Sequence, residues 1–173
     1  MDHHDERPDL DHRILTALHA RGTGPAVAAA ARTLSLAGEH GALWLAAGLA
    51  GAAADRERRG AWLRGTALTA SAHLASMGVK RLVRRPRPGH VEPLVRTAGR
   101  HSFPSSHATS AVAAAVAFGA LGARVVPALA AAMCVSRVVV GVHYPSDVAA
   151  GAALGAVTAR LGARWMTGGR DHG

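Results

Sequence analysis

Residues 105–123 read SSHATSAVAAAVAFGALGA, nineteen positions without a lysine, arginine, aspartate or glutamate, preceded by Pro104 and followed by Arg124. Alanine dominates the stretch and costs least in a helix, and no proline lies inside it. A strand of this length would want β-branched and aromatic residues instead. The stretch therefore reads as a helix. Five more stretches share its character, at 24–38, 41–54, 61–79, 125–142 and 148–166, with prolines only near their starts. Polar breaks separate them: Glu39-His40, residues 55–60, the long segment 80–104, Arg124 and residues 143–147.

Working outward, the composition fits an all-α chain of one domain over residues 1–173. Hydrophobic residues make up 49% but aromatics only 3%, so the apolar content is mostly alanine, valine and leucine. A single cysteine, Cys134, excludes a disulfide framework and any multi-cysteine metal site. No His-x-x-x-His pairing occurs among the eleven histidines, so neither a metal nor any other cofactor is expected. Small residues such as Gly151-x-x-x-Gly155 let helices approach closely, as membrane helices do. The expected fold is a six-helix transmembrane bundle with an amphipathic N-terminal helix within residues 1–22, where Leu10, Ile14, Leu15 and Leu18 fall at helical spacing. A full span needs about 20 apolar residues. Several stretches are shorter, and Arg32, Arg64 and Arg137 interrupt three of them, so a soluble helical bundle is the competing architecture. The first residues carry acids and histidines, so no secretory leader is expected.

Six spans would place segments 80–104 and 143–147 on one side of a cell membrane. The N-terminus, residues 55–60, Arg124 and the tail with Arg160, Arg164 and Arg170 would lie on the other. The positive-inside rule makes the second side cytoplasmic and the first extracytoplasmic, once the basic residues of 80–104 are set aside as functional.

Twenty basic residues against eleven acids give +9, which calls for an anionic partner. Segment 80–104 holds seven of the basic residues and one acid, Glu92. A nucleic acid is not expected, because aromatics do not interleave with the basic run. Three polar clusters stand out from the apolar background: Lys80 to Pro88, Phe103 to His107, and Ser136-Arg137 with His143 to Asp147. Ser105 and Ser106 follow Pro104 at a helix start, where backbone N–H groups and hydroxyls suit an oxyanion. Asp147 lies four residues beyond His143, so its carboxylate can brace one imidazole nitrogen and leave the other as a nucleophile. It is the only acid between Glu92 and Asp171, and an isolated carboxylate among alanines and valines needs such a partner.

The ordered pattern Lys-x6-Arg-Pro from Lys80 to Pro88, Pro-Ser-x-His from Pro104 to His107, and Ser-Arg-x5-His-x3-Asp from Ser136 to Asp147 resembles the three-part signature of the type 2 phosphatidic acid phosphatase superfamily. The resemblance covers residues 80–147 and points to the six-helix membrane branch. It implies that Lys80, Arg87 and Arg137 hold phosphoryl oxygens, with Ser105 and Ser106 as further donors. It also implies that His143 attacks phosphorus to form a phosphohistidine, Asp147 orients it, and His107 protonates the leaving oxygen. Ser106 stands where that branch usually has glycine. The Gly-Glu-His-Gly break at 38–41 resembles short prenyl-phosphate phosphatases of cell-wall assembly, including the branch acting on decaprenylphosphoryl-5-phosphoribose. The implied substrate is a lipid phosphate, such as that lipid or undecaprenyl pyrophosphate. Phosphatidylglycerophosphate and phosphatidic acid are the alternatives within the branch, and a soluble acid phosphatase or vanadium haloperoxidase lies outside it.

Other polar residues have plainer expectations. Arg81, Arg84 and Arg85 read as head-group contacts, and Glu39-His40 as a turn at the membrane surface. His73, two turns before Lys80 on one helical face, reads as an interhelical hydrogen-bonding residue that the same face could also turn toward the site. His3, His4 and His172 read as terminal residues without a role.

Overall fold

A computed structural model describes residues 9–22, 24–97 and 99–168. His3, His4, Arg170 and His172, and the start of the N-terminal segment, lie outside them. The regular elements of the described residues are all helices, and the long segment 84–105 is irregular apart from one isolated backbone bridge between Pro86 and His101. The helices are α1 (Leu10–Arg21), α2 (Pro25–Ala37), α3 (Ala42–Ala54), α4 (Arg59–Val83), α5 (Ser106–Gly119), α6 (Val126–Val139), α7 (Pro145–Leu161) and α8 (Ala163–Thr167). A short 3-10 turn at Glu39–Gly41 joins α2 to α3.

The central helix is α5, packed against α3, α4, α6 and α7. Its closest neighbour is α7, because Gly151 and Gly155 face the α5 backbone. A Cβ on Gly151 would stand 2.5 Å from the Ser105 carbonyl oxygen, and one on Gly155 would overlap that of Thr109. Two backbones that close leave no room for a side chain, which gives the small-residue spacing its structural purpose.

Two expectations about the passes need correction. A Cβ built on Gly38 would sit 2.9 Å from His107 Cδ2, one on Gly41 3.7 Å from Ser110 Cβ, and one on Gly48 2.7 Å from Phe118 Cζ. From the end of α2 through the turn and α3 the chain therefore runs in one direction beside α5, while α2 itself packs on the C-terminal end of α6, Ala31 against Val139 and Ser35 against Arg137. Positive φ at His40 (54°) and Gly41 (75°) supplies the bend. The Glu39-His40 break bends the chain without reversing it, so among the described residues α2 and α3 are not the antiparallel pair that the sequence predicts. The second correction concerns α1. Its Asp11 contacts Arg85 and Ser146, and its Leu15 packs on Val138 and Tyr144. The N-terminal helix thus lies at the same end as segment 84–105, not at the opposite end. It is docked on the helical body, with Leu15 fully buried.

Among the described residues, no helix is long and apolar enough to cross a membrane. The 25-residue α4 reaches about 37 Å, but Arg59, Arg64, Lys80 and Arg81 lie along it. Alanines such as Ala72, Ala108, Ala111, Ala113 and Ala114 are buried around a few large side chains, Trp44, Phe118 and Met133, while Leu49, Leu74, Leu161 and Val157 point outward.

Candidate active site

At the end of the bundle shared by α1 and segment 84–105 lies a cavity of about 750 Å³. Lys80, Arg87, Ser106, His107, Arg137 and His143 all line it. Residues from three separated clusters of the sequence are thereby brought to one space, and each is held by a local reason.

Lys80 is on α4, one turn before the helix ends, rather than in the loop where the sequence predicts it. Its Nζ donates to the carbonyls of His101 and Ser102 at 3.2 Å each, which draws segment 101–102 toward α4. Helix α4 stops at Arg84, whose φ of 53° turns the chain away. Arg84 is left outside, donating from Nε to the Arg81 carbonyl, while Arg85 and Arg87 turn inward. Arg87 is fixed by Nε to the Gly99 carbonyl and by Nη1 to the Val142 carbonyl, each at 2.8 Å.

His143 sits in the short connection between α6 and α7 and is 2% exposed. Its Nε2 is 3.4 Å from Arg87 Nη1, and its Nδ1 is 3.6 Å from Asp147 Oδ2. A guanidinium can only donate, so Nε2 carries a lone pair and the proton resides on Nδ1, facing the carboxylate. Burial, helped by the charges of Arg87, Arg137 and Lys80 against the opposing Asp147, lowers the imidazole pKa to about 3. The ring is neutral at ordinary pH. At 3.6 Å the carboxylate acts by charge rather than by a hydrogen bond of normal length.

Asp147 is fully buried behind His143, outside the cavity wall. Its Oδ2 accepts the Tyr144 N–H at 2.9 Å, closing the first turn of α7, and its Oδ1 accepts from Arg85 Nη1 at 2.9 Å. Ser105 also lies one layer back, fully buried. Its N–H donates to the Asp147 carbonyl at 2.9 Å and its Oγ caps α5 by accepting from Ala108 N. Ser106, next in the chain, is the serine on the wall.

Arg137, on α6, is 2% exposed. Its Nη1 donates to Ser35 Oγ, while its Nε has no partner among the described residues. His107 Nε2 lies 3.2 Å from the Ser35 carbonyl oxygen, so that nitrogen bears the proton and Nδ1 is the free one in the neutral ring. One residue of α2 thus touches two site residues.

Sequence reasoning missed Ser35, Arg85 and Asp11. A lone serine in an alanine-rich helix gives no signal, and Arg85 looks like its neighbour Arg84. Glu39 and His40, exposed in the turn expected there, and His73, which bonds the Ser106 backbone across from α4 to α5, also line the cavity; His73 Nδ1 has no hydrogen-bond partner among the described residues. No group of three or more histidine, cysteine, aspartate or glutamate side chains suited to a metal ion occurs among the described residues.

The family model of the PAP2 superfamily matches residues 60–170. The chain belongs to the PAP2 superfamily. As a PAP2 chain it is 44% identical to the decaprenylphosphoryl-5-phosphoribose phosphatase of Mycolicibacterium smegmatis over 150 residues, 84% of this chain and 83% of that relative. With the decaprenylphosphoryl-5-phosphoribose phosphatase of Mycobacterium tuberculosis it shares 46% identity over 140 residues, 79% of each chain. Its fold is similar to the crystal structure of Aquifex aeolicus LpxE, with a TM-score of 0.74 at 18% identity, covering 92% of this chain and 98% of that one. The PAP2 resemblance read from the three clusters is borne out.

Proposed function

We propose that this PAP2 protein is a membrane-embedded lipid phosphatase that hydrolyses a phosphomonoester of a prenyl-phosphate carrier, with a phosphoribosyl lipid as the preferred substrate. The observation that carries this reading is the single cavity lined by Lys80, Arg87 and Arg137 together with two imidazoles. Phosphoryl transfer is mostly positioning and charge stabilisation, and three fixed cations supply both without a metal. His143 Nε2 attacks phosphorus as the P–O bond to the lipid breaks, and His107, which takes up a proton at its free Nδ1 as the anionic phosphate binds beside it, gives that proton to the departing oxygen. His107 then takes a proton from water, which attacks the phosphohistidine, releases phosphate and restores His143.

Two features of the cavity support a lipid with a second anionic group. Arg32 and Arg96 line it along with the three deeper cations, against one carboxylate, Glu39, and neither has an ion-pair partner among the described residues. Leu36, Met77 and Val95 line it as well, giving an alkyl chain apolar surface to follow. The near relatives named as decaprenylphosphoryl-5-phosphoribose phosphatases favour the same choice. The outward leucines and the alanine-rich interior support a bundle that lives in lipid, because apolar surface of this extent is unfavourable in water.

The test is phosphate release in detergent from a panel of polyprenyl, phosphoribosyl-polyprenyl, glycerophospholipid and soluble phosphate esters, each with and without EDTA. The phosphoribosyl lipid is expected to give the highest kcat/KM, and EDTA is expected to leave the rate within about twofold, since the cations are side chains. A strict divalent-metal requirement, or preference for a soluble ester, would overturn the reading.

The site end is proposed to face away from the cytoplasm. The opposite end carries Arg56, Arg58, Arg59, Arg124, Arg160 and Arg164, none of which lines the site cavity. In intact cells an impermeant maleimide is expected to label Arg100→Cys and spare Arg124→Cys. The reverse pattern would invert the orientation.

A further inference from the structure

We propose that Asp11, on the N-terminal helix α1, is a positioning residue for phosphoryl transfer that neutralises Arg85 and so leaves the charge of Asp147 available to His143. The proposal rests on the reading of His143 as nucleophile. It begins from a row of alternating charges. Asp11 Oδ2 accepts from Arg85 Nη2 at 2.9 Å, and Arg85 Nη1 donates to Asp147 Oδ1 at 2.9 Å. Asp147 Oδ2 in turn faces His143 Nδ1 at 3.6 Å. Ser146 ties the row to the start of α7: its N–H donates to Asp11 Oδ1 at 2.9 Å, its hydroxyl donates to Asp11 Oδ2, and it receives Arg85 Nη1 at 2.7 Å. The Arg85 guanidinium also lies over the Tyr144 ring, 4.1 Å from its centroid. Asp11 falls outside residues 60–170, the part of the chain matched by the family model.

The chemistry gives this row a task. When Nε2 forms its bond to phosphorus the imidazole keeps the proton on Nδ1, so the ring becomes cationic as the P–O bond breaks. Asp147 stabilises that new charge. Arg85 competes for the same carboxylate at closer range, and an unneutralised guanidinium there opposes the cationic ring. With Asp11 in place the Asp11–Arg85 pair has no net charge, and Asp147 acts as a whole anion toward His143. Burial pushes the Asp11 carboxyl up, but the hydrogen bonds from Ser146 and Arg85 outweigh it and hold the group below its ordinary value, so it is ionised at neutral pH. The benefit arises only as charge develops on the ring, so it is realised in the transition state and not in substrate binding.

Asp11→Asn keeps an oxygen for the Ser146 N–H and removes the charge. On a lipid phosphomonoester in detergent it is expected to lower kcat about tenfold, the order found for groups sharing one network, with KM within about twofold. Asp11→Glu restores the charge and is expected to bring kcat to within about threefold of wild type. Leu15→Ala loosens the same helix without touching the carboxylate, and is expected to leave kcat within about twofold. In nitrogen-15 spectra of labelled imidazoles, the Nδ1 signal of His143 is expected to move in Asp11→Asn and to stay in Leu15→Ala. Wild-type kcat in Asp11→Asn, a glutamate variant as slow as the asparagine one, or an equal loss in Leu15→Ala would each overturn the proposal. If the wild-type protein releases no phosphate, the functional reading fails first, and an unmoved His143 signal in Asp11→Asn then overturns this one by itself.

Discussion

His143→Ala is expected to cut phosphate release by roughly 10³-fold or more, the size of loss that follows removal of a nucleophile. Nothing nearby replaces it. The Ser105 hydroxyl is occupied as the cap of α5, and His107 is held by the Ser35 carbonyl. The substitution should leave the fold and the anion site intact, because Arg87 keeps its bonds to Gly99 and Val142 and Asp147 keeps Arg85 and the Tyr144 N–H. Vanadate binding, followed in parallel with turnover, is therefore expected to survive. A variant within tenfold of wild type would remove His143 from the mechanism. The pH dependence has a definite sign. Burial lowers the His143 pKa to about 3, below its ordinary value, so in the free protein this proposed nucleophile stays unprotonated from pH 8 down to pH 5. Over that range kcat/KM should show no limb belonging to this imidazole.

Arg137→Ala is expected to cost about 10² to 10³ in kcat, as removal of a fixed transition-state donor does elsewhere. Its effect on stability should run the other way. Arg137 is a cation at 2% exposure whose Nε lacks a hydrogen-bond partner, and no carboxylate pairs with it among the described residues. A buried charge in that condition is unfavourable until an anion arrives. Without ligand, the alanine variant is expected to melt no lower than wild type, and the stabilisation that vanadate gives the wild type should disappear. Arg137→Lys should recover little activity, because a point charge on a flexible stem does not replace a planar fork. A large fall in Tm together with retained activity would show a structural cation instead.

Legibility in the sequence followed chemical contrast. Lys80, Arg87, His107, Arg137, His143 and Asp147 stand out against alanine and valine, and their order along the chain was enough to expect one site. The helices were legible for the same reason: nothing in the apolar stretches competes with helix. What stayed hidden depends on φ angles and on contacts between distant segments. The left-handed residue at Arg84 separates three arginines that look alike, sending Arg84 outward and Arg85 and Arg87 inward. Two successive positive φ values at His40 and Gly41 make a bend from a break that reads as a reversal. That error then moved the N-terminus to the wrong end. Ser35 was invisible because its value lies in what meets it, an arginine from α6 and a histidine from α5.

Helices α1 and α2 precede the portion of the chain that matches the family, yet Asp11 and Ser35 reach four of the polar groups at its centre: Arg85, Ser146, Arg137 and His107. A fragment cut at residue 60 would keep every signature side chain and lose the struts beneath them. Exchanging these helices with those of another superfamily member would likewise change the surroundings of the proposed site, and chimeras intended to transplant substrate preference should carry the first two helices along with the loops.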